Sequence, residues 1–67
     1  MGTPEMTLSA SDGSYRIIHS VHGMISHERA KGLYESGEAG EMNISMCRLI
    51  EMDWDVDALK EYYATAA

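Results

Sequence analysis

Apolar and polar residues alternate along two stretches near the N-terminus. In the first, residues 5–10, Met6 and Leu8 are separated by polar positions. The second, residues 14–22, places four residues on one face of a strand: Tyr15, Ile17, His19 and Val21. Between the stretches lies Asp12-Gly13, a pair that favours tight turns. The pattern predicts a β-hairpin formed by these two stretches.

Helical spacing of apolar residues follows in two later segments. The first begins after Ser26, a favourable N-cap, and ends at Gly37, a natural helix stop. In the second, Asp53 or Asp55 is the predicted cap. Its apolar stripe consists of Val56, Leu59, Tyr62 and Tyr63. Two short helices are therefore expected after the hairpin.

Residues 42–52 fit two secondary structures. As a strand, the segment places Met42, Ile44 and Met46 on one face, whereas as a helix it aligns Met42 and Met46 with Leu49 and Ile50. Its Met, Leu, Arg and Glu residues favour a helix, but a hairpin alone is marginally stable and a third strand would support it. We expect an α+β domain in which the N-terminal β-hairpin packs on two or three short helices. The alternative is a ββαβα arrangement with a three-stranded sheet.

Composition is consistent with one small folded domain. The chain has 67 residues, of which 45% are hydrophobic, and it contains six Met and no Phe. We assign residues 1–4 to a flexible tail and residues 5–65 to the domain. Because so small a domain buries little core, a homodimer or a stabilising partner is expected.

The net charge of −6 is distributed unevenly. Acids and bases balance over residues 1–34, so the whole net charge lies in residues 35–67. An acidic chain is poorly suited to bind phosphate backbones or anionic membranes, both of which require Lys and Arg. We therefore expect no direct nucleic-acid binding, no membrane binding and a basic protein partner.

Eight residues of this half form the candidate partner-binding surface. They are Glu35, Glu38, Glu41, Glu51, Asp53, Trp54, Asp55 and Asp57. Their carboxylates could occupy the positions that phosphates take on a nucleic-acid-binding complex. In size and charge alone, with no shared motif, the chain is similar to phage-encoded inhibitors, including anti-CRISPR proteins. This predicts an inhibitor that mimics nucleic acid. Equally, the acids could be a solvated face, and residue preference favours burial of Trp54.

Other site chemistries find little support in the sequence. The Asp53-x-Asp55-x-Asp57 pattern lacks the Gly and the Glu of a calcium loop. On a strand, His19 and His22 would point to opposite faces, and Cys47 reads as a small buried residue. We expect no metal, no cofactor and no catalytic residues. A single cysteine and no secretory signal indicate a cytoplasmic protein.

Two other functions remain open from the sequence. One is a transcription regulator whose helices near residues 26–36 and 42–52 form a helix-turn-helix, with basic residues at His27, Arg29, Lys31 and Arg48. The other is an antitoxin-like subunit that forms a Met-lined dimer.

Overall fold

The computed structural model describes residues 2–65, which form four strands and three helices. In chain order they are β1 (Glu5–Ser9), β2 (Arg16–His19), β3 (Gly23–Ile25), α1 (His27–Ser36), β4 (Glu41–Met42), α2 (Ile44–Glu51) and α3 (Val56–Thr65). Within residues 2–65, no helix has the length and apolar character needed to cross a membrane.

The strands form one sheet in the order β3-β2-β1-β4. Strand β2 is antiparallel to both β1 and β3, whereas β4 runs parallel to β1. The predicted α+β class and the hairpin packed on helices are thus confirmed. The sheet has more strands than predicted because β3 and β4 extend the hairpin on either side.

One face of the sheet carries the core. Met6 and Leu8 of β1 and Ile17 of β2 point to this face and are buried. The helices supply the rest of the cluster: Ala30, Leu33, Met46, Leu49 and Leu59, joined by Ala39 from the loop before β4. The protein therefore has two layers, with the helices on one side of the sheet.

The second strand of the hairpin is shorter than the predicted residues 14–22. It ends at His19, and Gly23, with φ of 74°, begins β3 after a turn. Val21 lies in that turn and is 71% exposed, so it does not share the buried face of Ile17 and His19 as predicted. The alternation of side chains in the sequence continues from His19 to Val21, but the backbone turns between β2 and β3, so the alternation no longer predicts which face Val21 occupies.

The predicted helix ends are confirmed. The Ser26 hydroxyl accepts a hydrogen bond from the Arg29 N–H at 3.1 Å, and Gly37 ends α1 with φ of 82°. At α3 the cap is Asp55, whose Oδ1 accepts from the Ala58 N–H at 3.1 Å. These contacts are local, which explains why the sequence predicts them.

Residues 42–52 combine both predicted structures. The segment begins in β4 and then, from Ile44, forms α2. The connection between α1 and α2 spans seven residues, 37–43, and contains β4. A helix-turn-helix motif uses a turn of about three to four residues, so this geometry does not favour that arrangement.

Asn43 joins β1 to α2 through its side-chain amide. Its Oδ1 accepts from the Met46 N–H at 3.0 Å, which caps α2, and from the Leu8 N–H at 3.1 Å. Its Nδ2 donates to the Leu8 carbonyl at 3.0 Å. The side chain thus pairs with β1 as another strand residue would, just after β4 ends.

A close backbone approach fixes the start of β4. The Glu41 N–H donates to the Pro4 carbonyl at 2.8 Å, so ordered contacts begin one residue before the predicted domain. Gly40, with φ of 80°, lies so near that a Cβ atom would overlap this carbonyl oxygen. The position therefore requires glycine for both conformation and space.

We predict that Gly40→Ala lowers the free energy of unfolding by more than about 2 kcal/mol, because it combines the left-handed strain with the clash against Pro4. Urea unfolding followed by circular dichroism measures it. Gly13→Ala is the matched control, since Gly13 has φ of 77° and open space around its Cβ position. Its free energy of unfolding should fall only by the cost of the backbone strain, about 1 kcal/mol. Equal losses would show that the approach to Pro4 imposes no constraint.

Asn43→Ala should lower the free energy of unfolding by about 2–3 kcal/mol, because the cap and the two hydrogen bonds to Leu8 are lost together. Asn43→Ser keeps a capping oxygen and loses only the contacts with Leu8, so its loss should be about half as large. The same urea titration measures both. A serine variant as stable as the wild type would mean that the bridge to β1 contributes nothing.

Candidate functional site

The seven predicted acidic residues all lie on the surface. Every one of them is exposed, and Trp54 is half-buried and packs against the core. Glu35 is in the last turn of α1 and Glu51 ends α2, while Glu38 follows α1 and Glu41 lies on β4. The remaining three, Asp53, Asp55 and Asp57, run from the α2–α3 turn into α3.

An aromatic contact brings two of these groups together. The rings of Tyr34 and Trp54 meet edge-on, with centroids 6.2 Å apart. Tyr34 directly precedes Glu35 in α1, and Trp54 lies between Asp53 and Asp55. The end of α1 therefore lies beside the α2–α3 turn, and we call the residues of this region the Trp54 surface: Tyr34, Glu35, Asp53, Trp54 and Asp55.

Four of the predicted residues lie outside the Trp54 surface: Glu51 at the end of α2, Asp57 in α3, and Glu38 and Glu41. Glu38 lines an open cleft of about 430 Å³ along α1, beside Glu28 and Arg29, and its carboxylate accepts from the Ser36 hydroxyl at 2.8 Å. Glu41 lies on the edge strand β4, in register with Glu5 on β1. The structure thus divides a set of acids that the sequence presents as continuous.

Tyr34 is the residue of this surface that the sequence reasoning missed. Its helical spacing with Ala30 and Leu33, both buried, is typical of one apolar stripe, yet 42% of Tyr34 is exposed. Tyr34 lies at the margin of that stripe and next to Glu35, and an aromatic residue beside an acid was the available signal. Its contact with Trp54 spans 20 positions of the chain and has no local signature.

The α2–α3 turn holds Trp54 in an unusual backbone conformation. Asp53 and Trp54 are successive residues with φ of 58° and 64°. Non-glycine residues in this region are strained by roughly 1–2 kcal/mol each. The Trp54 N–H donates to the Leu49 carbonyl at 2.9 Å, and burial of part of its ring offsets the strain. The turn thus holds a half-buried aromatic residue between two exposed acidic neighbours in the chain, Asp53 and Asp55.

The acids near this turn differ in their local roles. Asp55 caps α3, and Asp57 in its first turn complements the helix dipole. Within residues 2–65, neither the Glu35 nor the Asp53 carboxylate caps a helix or accepts a hydrogen bond. We therefore expect that changing these two carboxylates has little effect on the fold.

The histidines pack differently from the prediction. His19 is buried, with 2% of its surface exposed, and its Nδ1 accepts from the backbone N–H groups of Val21 and His22 at 3.1 and 3.3 Å. Its Nε2 lies 3.3 Å from the Glu38 carbonyl, to which it donates in the tautomer that these contacts define. His22 stacks on His19 with centroids 4.9 Å apart, because the turn after β2 reverses the chain. The expectation of opposite faces was wrong, and His19 acts as a fixed acceptor for the turn.

The remaining ligand-type residues form no cluster. Cys47 on α2 is exposed, so its predicted burial was wrong: the buried face of this helix is formed by Met46 and Leu49. His27 donates from Nε2 to the Tyr15 carbonyl at 3.0 Å and thereby ties the hairpin loop to α1. Within the described part of the chain, no group of three or more His, Cys, Asp or Glu side chains could hold a metal ion.

A basic and aromatic contact joins α2 to α3. The Arg48 guanidinium lies 5.2 Å from the ring centroid of Tyr62 and donates to the Tyr63 hydroxyl at 3.3 Å. Hydrogen bonds with Ser45 and then Arg48 lower the pKa of Tyr63, and the bond to Tyr63 raises the pKa of Arg48. The Ser45 hydroxyl is 3.0 Å from that of Tyr63. These contacts orient α3, and so the end of the α2–α3 turn.

A third residue with a shifted pKa, Asp12, lies in the hairpin loop. The Ser14 hydroxyl and backbone N–H both donate to the Asp12 carboxylate, at 2.7 and 2.9 Å, and lower the pKa of Asp12. Asp12 therefore shapes the loop and lies in a different element from the Trp54 surface.

Comparisons with protein-family models, with curated protein sequences and with solved structures give no match to this chain. The assignment of function therefore depends on the geometry described above.

We predict that Tyr63 titrates below its ordinary pKa of 10.0 and that Arg48→Met or Ser45→Ala raises this pKa toward that value. The pKa of Tyr63 is lower in the folded protein than in the unfolded chain. Ionisation of Tyr63 therefore stabilises the fold fully above pH 10.0, and this stabilisation is lost as the pH falls through the lower, folded-state pKa. The pKa of Tyr63 is measured from the ultraviolet absorbance of the phenolates during an alkaline titration. Tyr63→Phe identifies the transition, and an unchanged first transition in that variant would contradict the assignment.

Proposed function

We propose that the protein is a non-enzymatic interaction protein that docks the Trp54 surface on a basic, arginine-containing surface of a partner. The observation that carries this proposal is the Tyr34–Trp54 ring contact, which joins two partly exposed aromatic residues whose neighbours in the chain are the exposed acids Glu35, Asp53 and Asp55.

Each component of this surface suits a cationic partner. Aromatic faces attract guanidinium groups, and carboxylates accept their N–H donors in pairs. Trp and Tyr are also the side chains most often found at the energetic centres of interfaces. The strain at Asp53 and Trp54 supports the same proposal, since strained backbone is concentrated at functional sites.

The distribution of charge favours one orientation of docking. The net charge of −6 lies beyond residue 34, so long-range attraction would turn this half of the molecule toward a basic partner. The most concrete form of the proposal is an inhibitor of the phage-encoded type, which occupies the nucleic-acid site of its partner. Exposed carboxylates at the end of α1 and in the α2–α3 turn would then take the place of phosphates.

The first test uses a fluorescein-labelled peptide of alternating Arg and Gly as the probe. Glu35→Gln with Asp53→Asn should weaken binding about tenfold at low salt, which corresponds to roughly 0.7 kcal/mol for each carboxylate. Fluorescence anisotropy measures the affinity. Asn is chosen at position 53 because it tolerates the left-handed conformation.

The matched control is Glu28→Gln with Glu61→Gln. It removes two exposed acids outside the Trp54 surface, so both double variants carry a net charge of −4. The control should retain most of the affinity. Equal losses in the two variants would mean that the peptide senses only the overall charge, and the proposal would fail.

A second measurement separates docking on a basic partner from direct DNA binding. The wild-type protein should not retard duplex DNA in a low-salt mobility-shift assay, but it should release labelled DNA from the Arg-Gly peptide. Retardation of DNA by the protein alone would contradict the proposal and favour a transcription regulator.

A further inference from the structure

The outer face of the sheet, opposite the helices, carries a row of three side chains across the strands, of which two are apolar and exposed and the third, Thr7, is polar and half-buried. Thr7, Ile18 and Met24 are paired across β1, β2 and β3 and so lie on the same face. Because Ile17 and Met6 point to the core, this row points away from it. Ile18 is 45% exposed and Met24 68% exposed, and Val21, 71% exposed, lies in the turn between their strands.

Such a row is unusual on an open antiparallel sheet, where the uncovered face is ordinarily polar. The other large exposed apolar residues of the described chain, Tyr34, Ile44 and Tyr62, lie on helices. Contiguous apolar residues with a polar margin mark surfaces that bind another protein.

Opposite charges lie at the two ends of this face, so the face is electrostatically complementary to the same face of a second copy. Arg16 lies at one end of the strands, opposite Ser9, and Glu5 and Glu41 lie together at the other end. All three are exposed. When a second copy is turned by a two-fold axis along the Thr7–Ile18–Met24 row, each Arg16 comes over the acidic end of its partner. The same rotation places the apolar rows in contact.

Electrostatics also favours this face over the rest of the molecule for self-association. The four strands carry Glu5, Arg16 and Glu41, a net charge of −1, whereas residues 43–65, which contain α2 and α3, carry five acids against Arg48 and Lys60, a net charge of −3. Two copies that met through α2 and α3 would bring these like charges together, and contact through the sheet faces reduces that repulsion.

We propose that a second copy of this chain binds the outer face of the sheet, forming a two-fold dimer with the two sheets packed face to face. The sheets would lie about 10 Å apart, with Ile18 and Met24 of both copies between them. This proposal does not depend on the Trp54 surface, which belongs to the helical layer.

Sedimentation equilibrium of the full chain over a range of concentrations tests the dimer. The wild type should associate, and Ile18→Lys or Met24→Lys should weaken the association at least tenfold. Ile44→Lys is the matched control, because Ile44 is 69% exposed on α2 and the change in charge is the same. It should leave the dimer intact. Ile18→Thr with Met24→Thr provides a milder disruption should either lysine variant lose its circular dichroism spectrum.

A charge exchange tests the orientation. Arg16→Glu should weaken the dimer by repulsion from the partner's acidic end, and adding Glu5→Arg should restore it. A wild type that stays monomeric overturns the proposal, as does a dimer that survives Ile18→Lys or is lost with Ile44→Lys. Glu35→Gln with Asp53→Asn should leave the dimer unchanged, so failure of the proposed function and failure of the dimer are distinguishable.

Discussion

The arrangement of the whole molecule depends on one side-chain amide. Asn43 forms two hydrogen bonds with the backbone of Leu8 and a third with the N–H of Met46. Strand β4 is only two residues long and would give β2 and β1 little additional support by itself. The amide extends its pairing with β1 by one position and, with the same oxygen, begins α2. The direction of α2 relative to the sheet is therefore set by a contact that satisfies polar groups of both layers.

The position of the Trp54 surface follows from this constraint. Once α2 is fixed, the turn after it must reverse the chain within a few residues, and Asp53 and Trp54 adopt left-handed conformations to do so. Trp54 then reaches Tyr34 at the end of α1. The strained turn thus brings Trp54, which has an acid on either side in the chain, into contact with a second aromatic residue. The arginine at position 48 fixes α3 through Tyr63 rather than neutralising this surface.

The features that the sequence predicts are the ones that depend on neighbouring residues. The helix ends at Ser26 and Gly37 and the cap at Asp55 involve contacts within a few positions, and all are present. The role of Asn43 was not predicted, because its partner Leu8 is 35 positions away and no periodicity signals a side chain that replaces a strand residue. The pairing of β4 depends on Gly40 approaching Pro4, which is equally non-local. The exposure of the acids was predictable from charge alone, whereas the separation of Glu38 and Glu41 from Asp53 required the topology.

The two proposed surfaces are compatible because they lie on different layers. A dimer formed through the outer face of the sheet leaves both helical layers at its periphery, so each copy keeps its Trp54 surface accessible. Two such surfaces held at a fixed separation would bind an extended basic groove with greater avidity than one, provided that the groove spans that distance. In such a dimer the acidic α2–α3 segments of the two copies would lie apart, so their negative charge would remain accessible to a basic partner.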